Sequence, residues 1–129
     1  MSGQQIQRPR VLVADDDASL ATAMRRLLSQ SCEVVGQVAD SAAAIDAAAR
    51  LRPDVVLLDF SLPGGLDGLE VCRRIRRLAP DVSVILFTGN NDAHLRRLAH
   101  EAGAAGFVWK LNAATELVRT ITAVAGRKS

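Results

Sequence analysis

The stretch VLVADDD, residues 11–17, joins a short apolar run to three consecutive carboxylates. The β-branched run favours a buried strand that ends at Ala14. The charges that follow repel one another, since two carboxylates ~4 Å apart cost roughly 4 kcal/mol at an effective dielectric of ~20. Either water screens Asp15, Asp16 and Asp17 at a loose chain end, or a cation lies between them. The rest of the chain decides between the two.

Length and composition indicate a single globular domain. The 129 residues are 49% hydrophobic and 23% charged, so one core is expected. The net charge of +2 is too weak to predict direct binding of nucleic acid by this chain. Apolar runs shorter than the roughly 20 residues of a membrane helix, and a polar start without a signal-peptide core, predict a cytoplasmic protein with no membrane association.

The predicted domain covers residues 11–125. Residues 1–10 are interpreted as a polar N-terminal tail, and residues 126–129 as a C-terminal tail or the remnant of a linker. Cys32 and Cys72 lie far apart and form no CxxC motif, so both are predicted to be free thiols.

Strands and helices are predicted to alternate along the whole domain. Apolar runs predict strands at 11–14, 34–38, 55–58, 82–87 and 106–109; helical spacing predicts helices at 20–28, 42–51, 69–76, 92–102 and 113–124. Ser41 is the expected cap of the second helix. Continuous apolar strands alternating with helices indicate a parallel sheet buried on both faces. We therefore expect an α/β fold: a flavodoxin-like doubly wound (βα)5 with a five-stranded parallel sheet in three α/β/α layers.

Polar side chains stand where the predicted strands end. Asp15 and Asp16 end the first strand, Asp59 the third, Thr88 the fourth and Lys110 the fifth. In a doubly wound sheet these ends meet at one edge. Carboxylate oxygens suit Mg²⁺, and a carboxylate beside a cation, a lysine and a hydroxyl can attack phosphorus. The pattern predicts phosphoryl transfer to aspartate.

Four separated motifs carry a resemblance to a known family. They are VLVADDD (11–17), VVLLDFSLPGGLDGLEV (55–71), VILFTGN (84–90) and AAGFVWK (104–110). In this order and spacing they resemble the receiver domain of bacterial two-component response regulators. The resemblance extends from Val11 to about Val124.

The resemblance implies a metal site and an acceptor. Asp59 would be the phospho-acceptor. Asp15, Asp16 and Asp59 would bind Mg²⁺ together with the backbone carbonyl of Ser61.

It also implies roles around the phosphoryl group. Thr88 and Lys110 would contact the group itself, and Phe107 matches the aromatic switch position, whose ring turns inward when the threonine moves. Ser61 and Asn90 match positions that influence how readily water reaches the phosphate, which makes them candidates for tuning the dephosphorylation rate.

The partner implied by the resemblance is a sensor histidine kinase or a phosphotransfer protein. The domain would promote its own phosphorylation and dephosphorylation without being an enzyme in the usual sense. Phosphorylation would alter the surface of the fourth helix, fifth strand and fifth helix. A homodimer formed through this surface is a further possibility. The expected output is transcription regulation by a domain absent from this chain, and the alternative is a stand-alone regulator that docks its switched surface on another protein.

Two departures from the family pattern stand out. Lys110 is followed by Leu111, where the family usually has a proline with a cis bond. Because a non-proline cis bond costs ~2.5–4 kcal/mol, a trans bond with a rearranged loop and a strained cis bond both stay open. The PGGLDG segment after Asp59 is one residue longer than the commonest form, and its two adjacent glycines are expected to absorb the insertion at positive φ.

Some of these residues, and others nearby, also have purely structural interpretations. Asp15 and Asp16 could merely cap the first helix, and Asp17 is expected to be a first-turn helix carboxylate. The arginines between 73 and 77 are expected to form the wet face of a helix. His94 and His100 are expected at the surface.

Other function classes fit less well. A haloacid-dehalogenase-like phosphatase needs a second aspartate two residues after the nucleophile, where Ser61 stands. A dinucleotide-binding domain needs a GxGxxG after the first strand, and none is present. A phosphorylation-independent pseudo-receiver, acting only as an interaction module, remains the alternative.

Overall fold

The computed structural model describes residues 8–126. In this range strands and α-helices alternate in the order β1 (Arg10–Ala14), α1 (Ala18–Leu28), β2 (Glu33–Val38), α2 (Ser41–Leu51), β3 (Val55–Asp59), α3 (Gly68–Leu78), β4 (Ser83–Thr88), α4 (Ala93–Glu101), β5 (Gly106–Trp109) and α5 (Ala113–Gly126). A short 3₁₀ helix, Lys110–Asn112, precedes α5. Most of both predicted tails lies outside the described residues, although β1 already begins at Arg10 and α5 extends to Gly126.

The strands form one parallel sheet in the order β2-β1-β3-β4-β5. The chain moves outward from β1 to β2 and then returns to the other side of β1, so the strand order reverses between β1 and β3. A doubly wound sheet opens a crevice at such a point, outside the carboxyl ends of the strands. The predicted flavodoxin-like fold is confirmed.

Helices cover both faces of the sheet, because successive residues of each buried strand point to opposite sides. On one face Leu57 and Phe87 pack with α1 and α5. On the other face Leu58 and Leu86 pack with α2, α3 and α4. All four side chains are at most 1% exposed, which accounts for the continuous apolar runs of the central strands. No helix within residues 8–126 is long and apolar enough to cross a bilayer.

Aspartates cap the helices α1 to α4, and two expectations need correction here. Asp17 lies before α1 as its N-cap, where its carboxylate accepts from the amide of Leu20 at 3.1 Å; it is not a first-turn residue. The prediction that Ser41 caps α2 is wrong. Asp40 takes that place in an extended conformation and accepts from Ala43 at 2.8 Å, since a carboxylate satisfies a free helix amide at least as well as a hydroxyl.

The glycine insertion after Asp59 behaves as expected. Gly64 has φ +123° and Gly65 has φ +89°, backbone angles that residues with a Cβ rarely adopt. The two residues turn the chain back towards α3 without shifting Asp59 from the end of β3. The extra residue is absorbed locally.

Gly68, the first residue of α3, lies against the backbone of Phe60. A Cβ at this position would lie 2.7 Å from Phe60 Cα and 3.0 Å from its carbonyl oxygen. We expect Gly68→Ala to lower the free energy of unfolding by about 1–3 kcal/mol, the usual cost of overpacking. Gly89→Ala is the control, because a Cβ there would meet no atom within 4 Å. Denaturant unfolding that found the two variants equally stable would contradict the close approach.

Candidate functional site

Three carboxylates converge at the crevice between β1 and β3. Asp15 follows β1, Asp16 is its neighbour, and Asp59 ends β3. Each offers one oxygen, and these oxygens all lie within 4.8 Å of one another. Asp15 and Asp59 are 2% and 4% exposed, whereas Asp16 faces solvent. The carboxyl ends of the neighbouring strands β1 and β3 therefore place two buried acids and one exposed acid side by side.

The hydrogen bonds of the buried acids leave oxygens available. Asp15 Oδ1 accepts from the amide of Asp17 at 2.8 Å, and Asp59 Oδ1 accepts from the amide of Ser61 at 3.2 Å. Asp15 Oδ2 is buried, and the described part of the chain donates no hydrogen bond to it. A buried carboxylate oxygen without a hydrogen bond is costly. Such oxygens fit the preference of Mg²⁺ for hard ligands and an open coordination sphere.

Lys110 supplies a positive charge to the same cluster. Its Nζ lies 3.4 Å from Asp59 Oδ1 and 3.6 Å from Asp15 Oδ2, with the Phe87 ring centroid 5.5 Å away. Between residues 8 and 126 every peptide bond is trans. Leu111 enters the 3₁₀ helix with its side chain 77% exposed. The missing proline is thus accommodated by a trans bond and a rearranged loop, and Lys110 still contacts the acids.

Burial raises the pKa of the Asp15 carboxyl above its usual value of 3.8. The amide of Asp17 and the Lys110 ammonium lower this pKa in part, and the carboxylates of Asp59 and Asp16 raise it further. The folded protein therefore holds the Asp15 proton more tightly than the unfolded chain, and stability falls as pH rises from 3.8 through the raised pKa. At neutral pH the ionised carboxylate destabilises the metal-free fold.

Asp15→Asn should consequently stabilise the metal-free protein. We expect a gain of about 1 kcal/mol at neutral pH, since the variant removes a buried negative charge and its repulsion by Asp59 and Asp16, which Lys110 only partly offsets. The gain should vanish at a pH of about 3, where the native carboxyl is neutral as well. Denaturant unfolding in EDTA at both pH values measures this. A variant less stable than the native chain at neutral pH would contradict it.

Thr88 and Asn90 form the next part of the edge. Thr88 ends β4 and is 4% exposed. Its Oγ1 accepts from the amide of Asn90 at 3.1 Å. Asn90 and Ser61 are both exposed, so they lie where water reaches the crevice.

Phe107 and Trp109 point to the same side of β5. Phe107 is half-buried, and the Arg96 guanidinium lies over its ring, 4.5 Å from the centroid. Arg96 also donates to Asn91 Oδ1 at 2.9 Å. Trp109 Nε1 donates to the carbonyl of Gly89 at 3.2 Å. Both aromatic rings are thus tied to the segment that joins β4 to α4.

The remaining polar candidates lie outside this cluster. His94 and His100 are exposed on α4, as expected. Cys32 and Cys72 are buried free thiols, and burial raises the pKa of Cys72 to about 11. Glu70 forms ion pairs with three exposed arginines of α3, Arg73, Arg74 and Arg77, which confirms a solvated helix face for these three. Arg76 departs from the expectation, because it is half-buried and donates to the carbonyls of Pro80 and Val82.

Two contacts near the site have no signal in the sequence. The hydroxyl of Ser41 donates to the carbonyls of Pro63 and Leu66, and Arg96 stacks on Phe107. Both join separate elements of the fold, which no local periodicity or spacing reveals. Only the packing of α2 and α4 against the sheet brings these residues together.

Comparisons with known proteins agree with this geometry. A family model described as the response regulator receiver domain matches residues 11–122. "Response regulator MprA" of Mycobacterium sp. (strain KMS) is 37% identical over 120 residues, which cover 93% of this chain and 52% of that protein. "Probable transcriptional regulatory protein NarL" of Mycobacterium tuberculosis (strain ATCC 25618 / H37Rv) is 35% identical over 123 residues, which cover 94% and 56%.

A solved structure is similar over nearly its whole length. The signal receiver domain of the response regulator NarL from Mycobacterium tuberculosis has a TM-score of 0.87 at 33% identity, covering 94% of this chain and 98% of that one. The chain spans about half the length of the curated relatives it matches. With the site geometry, these matches show that the chain belongs to the response regulator receiver domain family.

Proposed function

We propose that this receiver domain accepts a phosphoryl group on Asp59 from a phosphohistidine of a sensor histidine kinase or phosphotransfer protein. The observation that carries the proposal is the cluster of Asp15, Asp16 and Asp59, whose oxygens lie within 4.8 Å of one another beside Lys110. The chain would act as a signalling phospho-acceptor in the cytoplasm, not as a conventional enzyme.

The chemical step uses the open oxygen of the Asp59 carboxylate. This oxygen attacks phosphorus, the new O–P bond forms as the N–P bond breaks, and the imidazole of the donor leaves with the electron pair. The Lys110 ammonium and the Thr88 hydroxyl bind the oxygens of the transferred group. Mg²⁺, held by Asp15, Asp16, Asp59 and the Ser61 carbonyl, would neutralise part of the charge that gathers there.

The same site would release the phosphoryl group by hydrolysis. Water attacks phosphorus, the bond between phosphorus and the Asp59 oxygen breaks, and inorganic phosphate leaves as the Asp59 carboxylate is regenerated. The exposed side chains of Ser61 and Asn90 flank the route by which water arrives, so their size and polarity are proposed to set the lifetime of the phosphorylated state.

Switching would begin at Thr88. A hydroxyl that turns towards the phosphoryl group gives up its bond with the Asn90 amide, which frees the segment between β4 and α4. Phe107 and Trp109 contact that segment through Arg96 and Gly89. The rearrangement would therefore alter the surface of α4, β5 and α5, which is also the proposed homodimer surface.

The output is proposed to be transcription regulation by a further domain. The name of the NarL relative, a transcriptional regulatory protein, and the 56% of its length that this chain covers support this proposal. The receiver itself is not expected to contact nucleic acid.

Intact mass spectrometry with acetyl phosphate tests the proposal. The native chain should gain the mass of one phosphoryl group, about 80 Da, with MgCl2 and not with EDTA. The gain should decay after the donor is removed. Absence of any adduct from acetyl phosphate and from a phosphorylated histidine kinase would instead favour the pseudo-receiver interpretation.

A further inference from the structure

The loop between β3 and α3, residues 60–67, is attached to α2 through one buried side chain. Ser41 is 1% exposed. Its Oγ donates to the carbonyl of Pro63 at 3.0 Å and to that of Leu66 at 3.2 Å, and its amide donates to Pro63 at 2.9 Å. The single hydroxyl proton is shared between two carbonyls that flank the glycine pair.

The backbone of the loop approaches Ser41 closely at the same point. A Cβ on Gly64 would lie 3.1 Å from Ser41 Cβ, N and Oγ. A residue with a side chain would push the loop away from the hydroxyl. Gly64 therefore has two reasons to lack a side chain: its positive φ of +123° and the close packing of Ser41 against it.

The loop also carries Ser61, which contacts the acidic cluster. Ser61 donates its amide to Asp59 Oδ1 at 3.2 Å, and Leu62, 5% exposed, anchors the next position in the core. The base of the loop is closed by the bond from the Gly68 amide to the Phe60 carbonyl, 3.1 Å. Beyond Leu62, the hydroxyl of Ser41 joins Pro63 to Leu66 and so restrains the inserted glycines.

We propose that Ser41 is a positioning residue for the metal site. Its hydroxyl holds the inserted loop against α2 and so keeps the backbone of Ser61 beside Asp59, where the proposed function needs the Ser61 carbonyl as a ligand. The inference rests on that proposed function. Ser41 itself touches neither the ion nor the phosphoryl group.

The effect should be seen in metal affinity. Without the hydroxyl, Leu66 loses its donor and Pro63 keeps only the amide of Ser41. Part of the free energy of Mg²⁺ binding would then be spent on ordering the loop that carries Ser61. Since one hydrogen bond has a modest net worth, we expect Ser41→Ala to raise the Kd for Mg²⁺ about three- to tenfold.

Isothermal titration with MgCl2 on the full chain tests this, with the melting temperature measured in EDTA. Ser29→Ala is the matched control, because its hydroxyl also donates to a backbone carbonyl, that of Arg26 at 3.0 Å, far from the loop. Ile121→Val in the other core cluster controls for lost stability alone. Both controls should bind Mg²⁺ as the native chain does, whereas Ser41→Ala should bind it more weakly.

A pair of glycine variants provides a second test. Gly64→Ala and Gly65→Ala both place a Cβ at positive φ, but only the first crowds Ser41. Gly64→Ala should weaken Mg²⁺ binding more than Gly65→Ala. Equal effects of the two, or native affinity in Ser41→Ala, would overturn the inference.

The two proposals fail in different ways. If Asp16→Asn weakens Mg²⁺ binding and Ser41→Ala does not, the metal site stands and the role of Ser41 is refuted. If the native chain binds no Mg²⁺, the proposed function and this inference are both refuted.

Discussion

Asp59→Asn is expected to abolish the incorporation of a phosphoryl group from acetyl phosphate. The amide keeps the shape of the side chain and an oxygen that can accept from the Ser61 amide, so the fold should be retained. It lacks the negative charge that makes the carboxylate a nucleophile. Intact mass after incubation with donor and MgCl2 should therefore show no adduct.

Asp67→Asn is the matched control for this variant. Asp67 belongs to the same loop and caps α3 by accepting from the Glu70 amide at 2.8 Å, and asparagine is an equally good N-cap. The control should gain a phosphoryl group at the native rate. An adduct on Asp59→Asn as abundant as on the control would show that another side chain is the acceptor.

Lys110→Ala is expected to slow phosphorylation about 100-fold, the typical effect of removing one group that stabilises charge in a transition state. Its Nζ lies 3.4 Å from Asp59 Oδ1, beside the carboxylate where the negative charge of the transferred group gathers. The variant should also be less stable in EDTA, because the ion pairs of Asp15 and Asp59 with this lysine are lost. Initial rates of adduct formation at saturating MgCl2 measure the first effect.

Arg97→Ala gives the same change in net charge at a distance from the acids. Arg97 is exposed on α4 and pairs with His94 at 2.7 Å. It should be phosphorylated at the native rate. If Lys110→Ala reacts as fast as Arg97→Ala, the lysine has no part in the transfer, and its contact with Asp59 serves stability alone.

The fold was predictable from the sequence because the central strands of a covered parallel sheet are apolar along most of their length. Val55 to Leu58 is such a run, and all four residues are at most 1% exposed. Element ends were less certain. β4 runs from Ser83 to Thr88, one residue later than expected at either end, because strand ends depend on pairing with neighbours. The cap of α2 was also assigned one residue too late, because the Asp40 carboxylate and not the Ser41 hydroxyl accepts from a free helix amide.

The sequence predicts which residues meet at the carboxyl ends of the strands, but it does not predict the distances between them. Topology alone brings Asp15, Asp59 and Lys110 to one edge. The course of the chain after Lys110 was not predictable, because a trans bond and a strained cis bond were both open. The contacts of Ser41 with the glycine loop and of Arg96 with Phe107 depend on how helices pack on the sheet. No spacing along the chain encodes them.

Chemical identification of the phosphorylated residue is the most direct test that Asp59 accepts the phosphoryl group. Borohydride reduces an aspartyl phosphate to homoserine, which marks the modified position permanently. The tryptic peptide that contains Asp59 also contains Asp54 and Asp67, so fragmentation distinguishes the acceptor from two internal controls. We predict homoserine at position 59 alone, and only when MgCl2 was present during phosphorylation. Homoserine at position 15 or 16, or an unreduced Asp59 in a protein that carries the adduct, would contradict the account.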